Sequence, residues 1–305
     1  MKKILILICG LLIYASTYAQ QDAMYTHYAF NTLAVNPAYA GSRDIITITG
    51  LHRSQWVGFS GAPITQTITF HSPVYREELG LGLSVVNDKI GPVRFTSFYA
   101  DLAYRARLNK NVRLSFGLKG GGNLMQGDLA SLKTTESGDG GLQNIKSLFL
   151  PNIGAGLYLF SPTWYTGISA PKLIENKFVD NATTILDGEK RHFFFIAGFV
   201  TNLSSSLKLK PTTFVKATPS APVEADLTLM FIIKDKIELG IMGRTGDGVG
   251  ALIGYNINNQ TRIGYSFDWS FVARTGTTNI GSHEIMIRYD IINSDPEKIY
   301  SPRYF

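Results

Sequence analysis

From Ile46 onward, apolar and polar residues alternate one by one along most of the chain. The segment near residue 290 is the clearest example, because one set of alternate positions is apolar and the other is mainly charged. The two sets are Ile285, Ile287, Tyr289 and Ile291, and Glu284, Met286, Arg288 and Asp290. Successive side chains of a β-strand point to opposite faces, so this period of two predicts a strand with one apolar and one polar face.

About fourteen such strands are predicted, an even number, as bacterial outer-membrane barrels have. They cover residues 46–56, 62–74, 79–88, 92–107, 111–123, 148–160, 163–170, 190–204, 206–217, 223–233, 236–245, 248–257, 261–272 and 281–292.

The connections alternate between tight turns and longer or glycine-rich loops. The tight turns are Asn109-Lys110, Ser161-Pro162, Asp235-Lys236 and Asn258–Gln260, and the longer loops are Val57–Gly61, Asn87–Pro92, Leu124–Lys146, Pro171–Glu189, Thr218–Pro222 and Thr245–Gly248. Short turns at one rim and long loops at the other are typical of outer-membrane barrels, whereas a β-sandwich has no reason to keep this parity. The sequence therefore predicts an all-β, transmembrane outer-membrane β-barrel of antiparallel strands, with its apolar face toward lipid and its charged face toward the lumen.

Two further expectations follow from this assignment. Trp164, Tyr165, Trp269 and Tyr289 are placed near strand ends, where barrels carry an aromatic girdle. His71 and His283 are placed on the polar side of their strands and are expected to form hydrogen bonds in the lumen.

Residues 1–19 have the pattern of a signal peptide. Lys2 and Lys3 precede a short apolar run, Ile4 to Tyr14, and Thr17-Tyr18-Ala19 supplies small residues for signal-peptidase cleavage. The apolar run is too short to span a membrane as a helix. Cleavage removes Cys9, the single cysteine, which excludes disulfide and thiolate chemistry from the mature chain.

Residues 20–45 have neither a helical nor a strand period. Asn36-Pro37 and Ala40-Gly41 are turn-forming pairs, and aromatic residues lie between such turns. We expect an irregular segment packed against the barrel, and a barrel of this size has room for it as a plug. The barrel is assigned to residues 46–293 and a periplasmic tail to residues 294–305.

Composition excludes several functions. After cleavage, 27 basic residues against 23 acidic ones give a formal charge of +4, and the basic residues are scattered, so no nucleic-acid partner is expected. The histidines are widely separated and none has metal-ligand spacing. Neither a catalytic constellation nor a phosphate-binding loop is found, so we expect no enzyme activity, cofactor or metal.

Several motifs resemble the PorP/SprF family in order along the mature chain. The N-terminal ones are Tyr25, Tyr28, Asn31, Asn36-Pro37-Ala38-Tyr39-Ala40-Gly41, Arg53, Gln55-Trp56 and Gly61-Ala62-Pro63-Ile64-Thr65. Asn87-Asp88-Lys89-Ile90-Gly91-Pro92 and the terminal Ser301-Pro302-Arg303-Tyr304-Phe305 extend the resemblance. It implies an outer-membrane protein of the Bacteroidetes type IX secretion system, linked in some members to gliding motility.

The resemblance also implies partners other than outer-membrane lipid. One branch of the family serves a secreted adhesin through the adhesin's C-terminal domain, and the other contacts periplasmic ring lipoproteins. The candidate partner-binding or structural residues are Tyr25, Tyr28, Asn31, Asn36, Pro37, Tyr39, Gly41, Arg53, Gln55, Trp56, Gly61, Pro63, Asp88 and Gly91. The alternative function is a channel for small or hydrophobic molecules with an N-terminal hatch, because fatty-acid transporters also have fourteen strands and an Asn-Pro-Ala motif.

Overall fold

A computed structural model describes residues 25–75, 78–129, 144–180, 184–186, 188–219, 221–271 and 280–292. The predicted signal peptide and the predicted tail, with its Ser301–Phe305 motif, lie outside these residues. The middle of the predicted Leu124–Lys146 loop lies outside them as well.

The described residues form strands with one short helical segment before them. The helical elements are α1 (Thr32–Val35) and a 3-10 turn (Pro37–Tyr39). The strands are β1 (Ile46–Ser54), β2 (Ile64–Tyr75), β3 (Leu79–Ile90), β4 (Val93–Arg107), β5 (Arg113–Gly127), β6 (Ile145–Phe160), β7 (Trp164–Ala170), β8 (Phe178–Asp180), β9 (Thr184–Leu186), β10 (Phe193–Phe199), β11 (Thr201–Asn202), β12 (Leu207–Ala217), β13 (Glu224–Ile233), β14 (Ile237–Arg244), β15 (Gly248–Asn256), β16 (Thr261–Ser270) and β17 (Ser282–Ile291).

The strands close into a barrel. Neighbouring strands pair in sequence order, β7 pairs with β10, β10 pairs with β12, and β1 pairs with β17. β10 and β11 are separated only by Val200 and form one wall strand, so the wall has fourteen antiparallel strands among the described residues. β8 and β9 form a separate hairpin. The predicted fold class and strand number are confirmed.

The two faces of the wall differ as predicted. In β17, Ile285, Ile287 and Tyr289 are exposed on the outer face, while Glu284 and Arg288 are buried on the inner face. This is the reverse of a soluble barrel and fits a wall surrounded by lipid. Within the described residues, no helix is both long and apolar enough to cross a membrane.

The tight turns lie at one rim and the longer or glycine-rich connections at the other. Because outer-membrane barrels keep their short turns in the periplasm, we assign the tight-turn rim to the periplasm and the other rim to the exterior. One predicted loop, Asn87–Pro92, is largely strand: β3 continues to Ile90 and β4 begins at Val93. Its polar residues suggested a loop, but Asn87 and Lys89 pair across the sheet with Thr96 and Arg94.

Two other loops are shorter or more structured than predicted. β5 continues to Gly127 and β6 begins at Ile145, which shortens the longest loop from both sides. The Pro171–Glu189 connection contains the β8–β9 hairpin. In both cases strand pairing extends beyond the apolar positions from which the boundaries were predicted.

Two side chains lie on the opposite face from their prediction. Tyr165 is buried in the lumen against Tyr158 instead of joining an outer girdle, whereas Trp269 and Tyr289 do face outward. His283 also faces outward, because its neighbours Ser282 and Glu284 point into the lumen, and its Nδ1 lies 2.7 Å from the hydroxyl of Tyr265. His71 is buried in the lumen, as predicted.

Candidate functional site

The N-terminal segment fills the lumen lengthwise. Apart from the half-buried Ala34, every residue from Tyr25 to Arg43 is buried. Tyr25 lies in the outer half, where its hydroxyl is 3.1 Å from Oγ1 of Thr67 near the outer end of β2. Arg43 lies at the periplasmic end, where it pairs with Asp290 near the end of the last wall strand, β17. We call residues 25–43 the plug.

Buried charges hold the outer end of the plug. Both carboxylate oxygens of Glu284 accept hydrogen bonds from backbone amides of the plug, from Thr26 at 2.9 Å and from His27 at 2.7 Å. The Thr26 hydroxyl donates to Asp268 at 2.5 Å. Arg53 donates to Asp268 at 2.7 Å and lies 3.3 Å from Glu284. Because an unpaired buried charge is costly, this network fixes the plug to three wall strands.

Hydroxyl and amide groups hold the middle of the plug. The hydroxyl of Tyr28 lies 3.1 Å from Thr212 and 3.4 Å from Thr228, and its ring packs on Phe214. Tyr28 is buried, so these bonds involve a neutral phenol. The side-chain oxygen of Asn31 accepts from Thr69 at 3.0 Å.

The Asn36–Gly41 motif forms a compact turn in the periplasmic third of the lumen. Asn36 caps the 3-10 turn, because its Oδ1 accepts from the amide of Ala38 at 2.9 Å, and its Nδ2 donates to the carbonyl of Leu157 in β6. Pro37 begins the turn with a fixed φ. Tyr39 packs edge-on against His71 and Tyr158. Gly41 has φ +70, a conformation that favours glycine.

Glycines of the wall make room for this turn. A Cβ at Gly117 of β5 would lie 2.1 Å from the amide nitrogen of Ala38, and one at Gly80 of β3 would lie 2.1 Å from the carbonyl oxygen of Ala40. A Cβ at Gly156 of β6 would lie 2.2 Å from Oδ1 of Asn36. We call Gly80, Gly117 and Gly156 the glycine cradle. These contacts show that the wall and the Asn36–Gly41 motif fit each other directly.

Arginines close the periplasmic end. Arg43 donates to Asp290 at 2.9 Å. Asp44, just past the plug, accepts from Arg105 at 2.6 Å and from Arg113 at 2.9 Å, and Arg105 also donates to the carbonyl of Gly41. The chain therefore enters β1 from a fixed position.

The other candidate residues lie at the outer rim. The amide of Gln55 donates to the carbonyl of Pro63 at 3.0 Å, so the two ends of the β1–β2 loop are bonded to each other. Trp56 has φ +47, a strained value for a bulky residue, and its amide donates to Ser282. The amide of Gly91 donates to the carbonyl of Gly61 at 2.9 Å, which joins this loop to the β3–β4 turn.

A cavity of about 120 Å³ lies between the plug and the outer rim. Tyr25, Asp88, Lys119, Glu189 and His192 are among its lining residues. Asp88 faces inward and accepts from Thr65 at 2.6 Å, and Lys119 forms an ion pair with Asp101 at 3.0 Å. Charged side chains therefore line part of the wall side of the cavity, beside apolar ones such as Phe95 and Phe194.

One loop is tied down at the mouth of this cavity. Glu189 accepts hydrogen bonds from the side-chain amides of Asn123, Asn152 and Asn176. Oδ1 of Asn152 accepts from the backbone amides of Leu173 and Ile174, so the start of the Pro171–Glu189 connection lies along β6.

The candidate residues thus form two groups rather than one site. The lumen group is Tyr25, Tyr28, Asn31, Asn36, Pro37, Tyr39, Gly41, Arg53 and Asp88, and the rim group is Gln55, Trp56, Gly61, Pro63 and Gly91. The sequence did not predict that Glu284 and Asp268 bind the outer end of the plug. It also did not predict that the glycine cradle packs against the Asn36–Gly41 turn. Inward-facing glycines on otherwise regular strands were the available signal. Among the described residues, no group of three or more His, Cys, Asp or Glu side chains is arranged to hold a metal ion.

Comparison with solved structures identifies outer-membrane barrels. The chain is similar to the CymD monoaromatic hydrocarbon channel, with a TM-score of 0.51 and 11% identity over 87% of this chain and 94% of that one. It also matches the Acinetobacter baumannii outer membrane protein Omp33, with a TM-score of 0.46 and 9% identity over 82% of this chain and 100% of that one. At these identities the likeness concerns the fold alone.

No curated protein matches the sequence. A family model does match, over residues 17–289, and it describes the type IX secretion system membrane protein PorP/SprF. The match covers most of the chain and confirms the resemblance carried by the N-terminal motifs. The protein is therefore an outer-membrane member of the PorP/SprF family of type IX secretion system proteins.

Proposed function

We propose that this protein is a plugged docking barrel that helps to secrete or anchor a surface protein, an adhesin, through that protein's C-terminal domain. The filled lumen is the observation that carries the proposal. Residues 25–43 are buried almost without interruption and bonded to strands on all sides of the wall. A polypeptide has no room to pass beside the plug, so the barrel would act by binding its partner at a surface.

The outer rim supports this proposal as the binding surface. Its longest connections follow β5 and β7, and the β1–β2 loop presents Trp56, half-buried, and Phe59, 48% exposed. Aromatic side chains dominate binding hot spots. Trp56 also has a strained backbone conformation and donates its amide to Ser282 at the start of β17, and such strain often accompanies function. Arg53, by contrast, is 1% exposed and would support the rim from inside.

Membrane anchoring is the competing explanation for Trp56, because tryptophan is common at membrane interfaces. Trp164 is a matched control, since it is a half-buried tryptophan at the periplasmic rim. Both Trp→Ala variants remove interfacial anchoring, but only Trp56→Ala alters the proposed binding surface.

The test measures the barrel and the cargo separately in the native host. Barrel abundance is followed by heat-modifiable migration, and surface cargo by protease accessibility of a reporter fused to a type IX C-terminal domain. We expect Trp56→Ala with Phe59→Ala to leave the barrel at normal abundance and to reduce surface cargo, while Trp164→Ala changes neither. Loss of the barrel itself in the rim variant supports anchoring, and normal surface cargo places the binding surface elsewhere.

A contact with periplasmic ring lipoproteins is the second possibility within the same secretion role. It would use the tight-turn rim and would be lost on changing the turns at Asn109-Lys110 or Asp235-Lys236 without loss of barrel abundance. The channel alternative has weaker support, because the plug occupies the path that a solute would take through the lumen.

A further inference from the structure

The outer face of β1–β4 carries a row of polar side chains close to the outer rim. His52, Gln66, Asn87 and Thr96 are direct neighbours in the strand register. Gln66 lies 3.5 Å from Nδ1 of His52, Asn87 donates to Gln66 at 3.4 Å, and Thr96 donates to Asn87 at 3.4 Å. An outward polar row of this kind lies above the hydrocarbon layer, where its groups remain hydrated.

Two cations lie in the next row toward the outer rim. Lys89 and Arg94 are directly opposite each other on β3 and β4, and both are exposed. Among the described residues, neither forms an ion pair or a side-chain hydrogen bond with any carboxylate. Asp88 points into the lumen instead, where it accepts from Thr65. Like charges directly opposite in a sheet are destabilising, so this arrangement favours binding of an anion between them.

Below the polar row the wall becomes apolar. On β4 the outward positions from Phe98 to Ala106 are Phe98, Ala100, Leu102, Tyr104 and Ala106. With a strand rise of about 3.3 Å and a tilt of about 40°, this run spans roughly 20 Å along the membrane normal. Neighbouring outward residues Ile68 and Leu83 are 62% and 56% exposed. Lys89 and Arg94 therefore lie at the height of the outer lipid headgroups.

We propose that Lys89 and Arg94, with the polar row His52–Gln66–Asn87–Thr96 beneath them, form a binding site for a phosphorylated glycolipid of the outer leaflet. The ammonium and guanidinium groups bind a headgroup phosphate, since both are strong donors to phosphate oxygens. The polar row faces the sugar hydroxyls, and the apolar wall below contacts the acyl chains. The order of charge, polar groups and apolar surface matches the order of groups in such a lipid.

The experiment compares lipid retention by the purified full-length barrel in detergent, measured by native mass spectrometry. Lipid A carrying its phosphates is titrated against lipid A that has been enzymatically dephosphorylated. Two charge-assisted contacts predict a preference of roughly tenfold or more for the phosphorylated form. Lys89→Gln with Arg94→Gln is expected to abolish this preference while leaving heat-modifiable folding unchanged.

The control is Lys234→Gln with Lys236→Gln, which removes two exposed charges at the periplasmic rim and should keep the preference. Equal retention of both lipids by the unaltered protein, or an unchanged preference in the Lys89/Arg94 variant, overturns the proposal. Displacement of the lipid by millimolar inorganic phosphate shows a simple anion site instead. Loss of a co-purifying secretion protein from that variant, with lipid retention unchanged, assigns the surface to a protein partner.

Discussion

Arg53 of β1 and Asp268 of β16 lie 2.7 Å apart across the intervening strand β17, and the plug residue Thr26 bonds to both. Glu284 of β17 lies between them and accepts from the backbone of Thr26 and His27. The plug residue Thr26 therefore bonds to both members of an ion pair that joins two wall strands. Because β1 and β17 meet where the barrel closes, these bonds connect the first plug residues to the closure of the barrel.

Removing Arg53 should destabilise the barrel strongly. Arg53→Met leaves Asp268 and Glu284 buried with one cation fewer, a change that costs about 3–5 kcal/mol for buried pairs. We expect the urea midpoint for loss of the heat-modifiable band to fall markedly. Lys208→Met is the control, because Lys208 pairs with the exposed Asp235, and exposed pairs contribute about 0–1 kcal/mol. Equal midpoints for the two variants would contradict the anchoring role of Arg53.

The glycine cradle gives a sharper test of how the plug is seated. Gly117→Ala introduces a methyl group 2.1 Å from the plug backbone, whereas Gly120→Ala on the same strand meets nothing within 4 Å. Overpacking of this kind typically costs about 1–3 kcal/mol. We expect Gly117→Ala to increase proteolysis within residues 25–43 and Gly120→Ala to leave it unchanged. Similar protease resistance in both variants would show that the plug is not held by this contact.

The wall was predictable because every strand has a buried and an exposed face. The period of two located all fourteen wall strands. The alternation of tight turns with longer or glycine-rich loops predicted which connections lie at which rim. The wrong predictions concern positions near the rims, where the inner and outer faces of a strand are both polar. Asn87 and Lys89 are outward but lie above the apolar band, so they suggested a loop although they belong to β3. His283 was assigned to the wrong face because outward polar residues near the rim break the pattern.

The arrangement of the plug was less predictable, because it depends on contacts distant in sequence. Asn36 caps the turn that follows it, and its position before Pro37 makes this contact predictable. Its bond to Leu157 spans 121 residues and could not be predicted from the local sequence. Charge pairing follows the strand register in one case: Lys216 and Glu224 are directly opposite on β12 and β13 and form an ion pair. Lys208 instead pairs with Asp235 in the turn, because its side chain lies at the exposed periplasmic rim.

The plug should keep the barrel closed to ions. The full-length protein in planar lipid bilayers is expected to conduct poorly, because residues 25–43 fill the lumen. Replacing residues 25–41 by a glycine-serine segment of equal length retains Arg43 and Asp44, which bond at the periplasmic end, and should raise conductance. Heat-modifiable folding of the replacement variant is the control. Large, steady conductance from the full-length protein would favour the channel alternative.

The orientation of the barrel can be tested with single cysteines, since Cys9 is the one native cysteine and lies in the predicted signal peptide. Ser60→Cys is in the exposed β1–β2 loop, and Lys110→Cys is in the tight β4–β5 turn. Lys110 is preferable to Asn109, whose side chain accepts from the amides of Asn111 and Val112 and holds that turn together. Position 137, in the longest predicted loop, lies outside the described residues.

An impermeant maleimide applied to intact cells should label Ser60→Cys, because longer connections face the exterior in outer-membrane barrels. Lys110→Cys should be labelled only after the outer membrane is permeabilised. Labelling of both in intact cells would indicate a damaged membrane, which a periplasmic marker protein detects. The reversed pattern would invert the barrel, and it would also remove the outer-leaflet location on which the Lys89 and Arg94 lipid site depends.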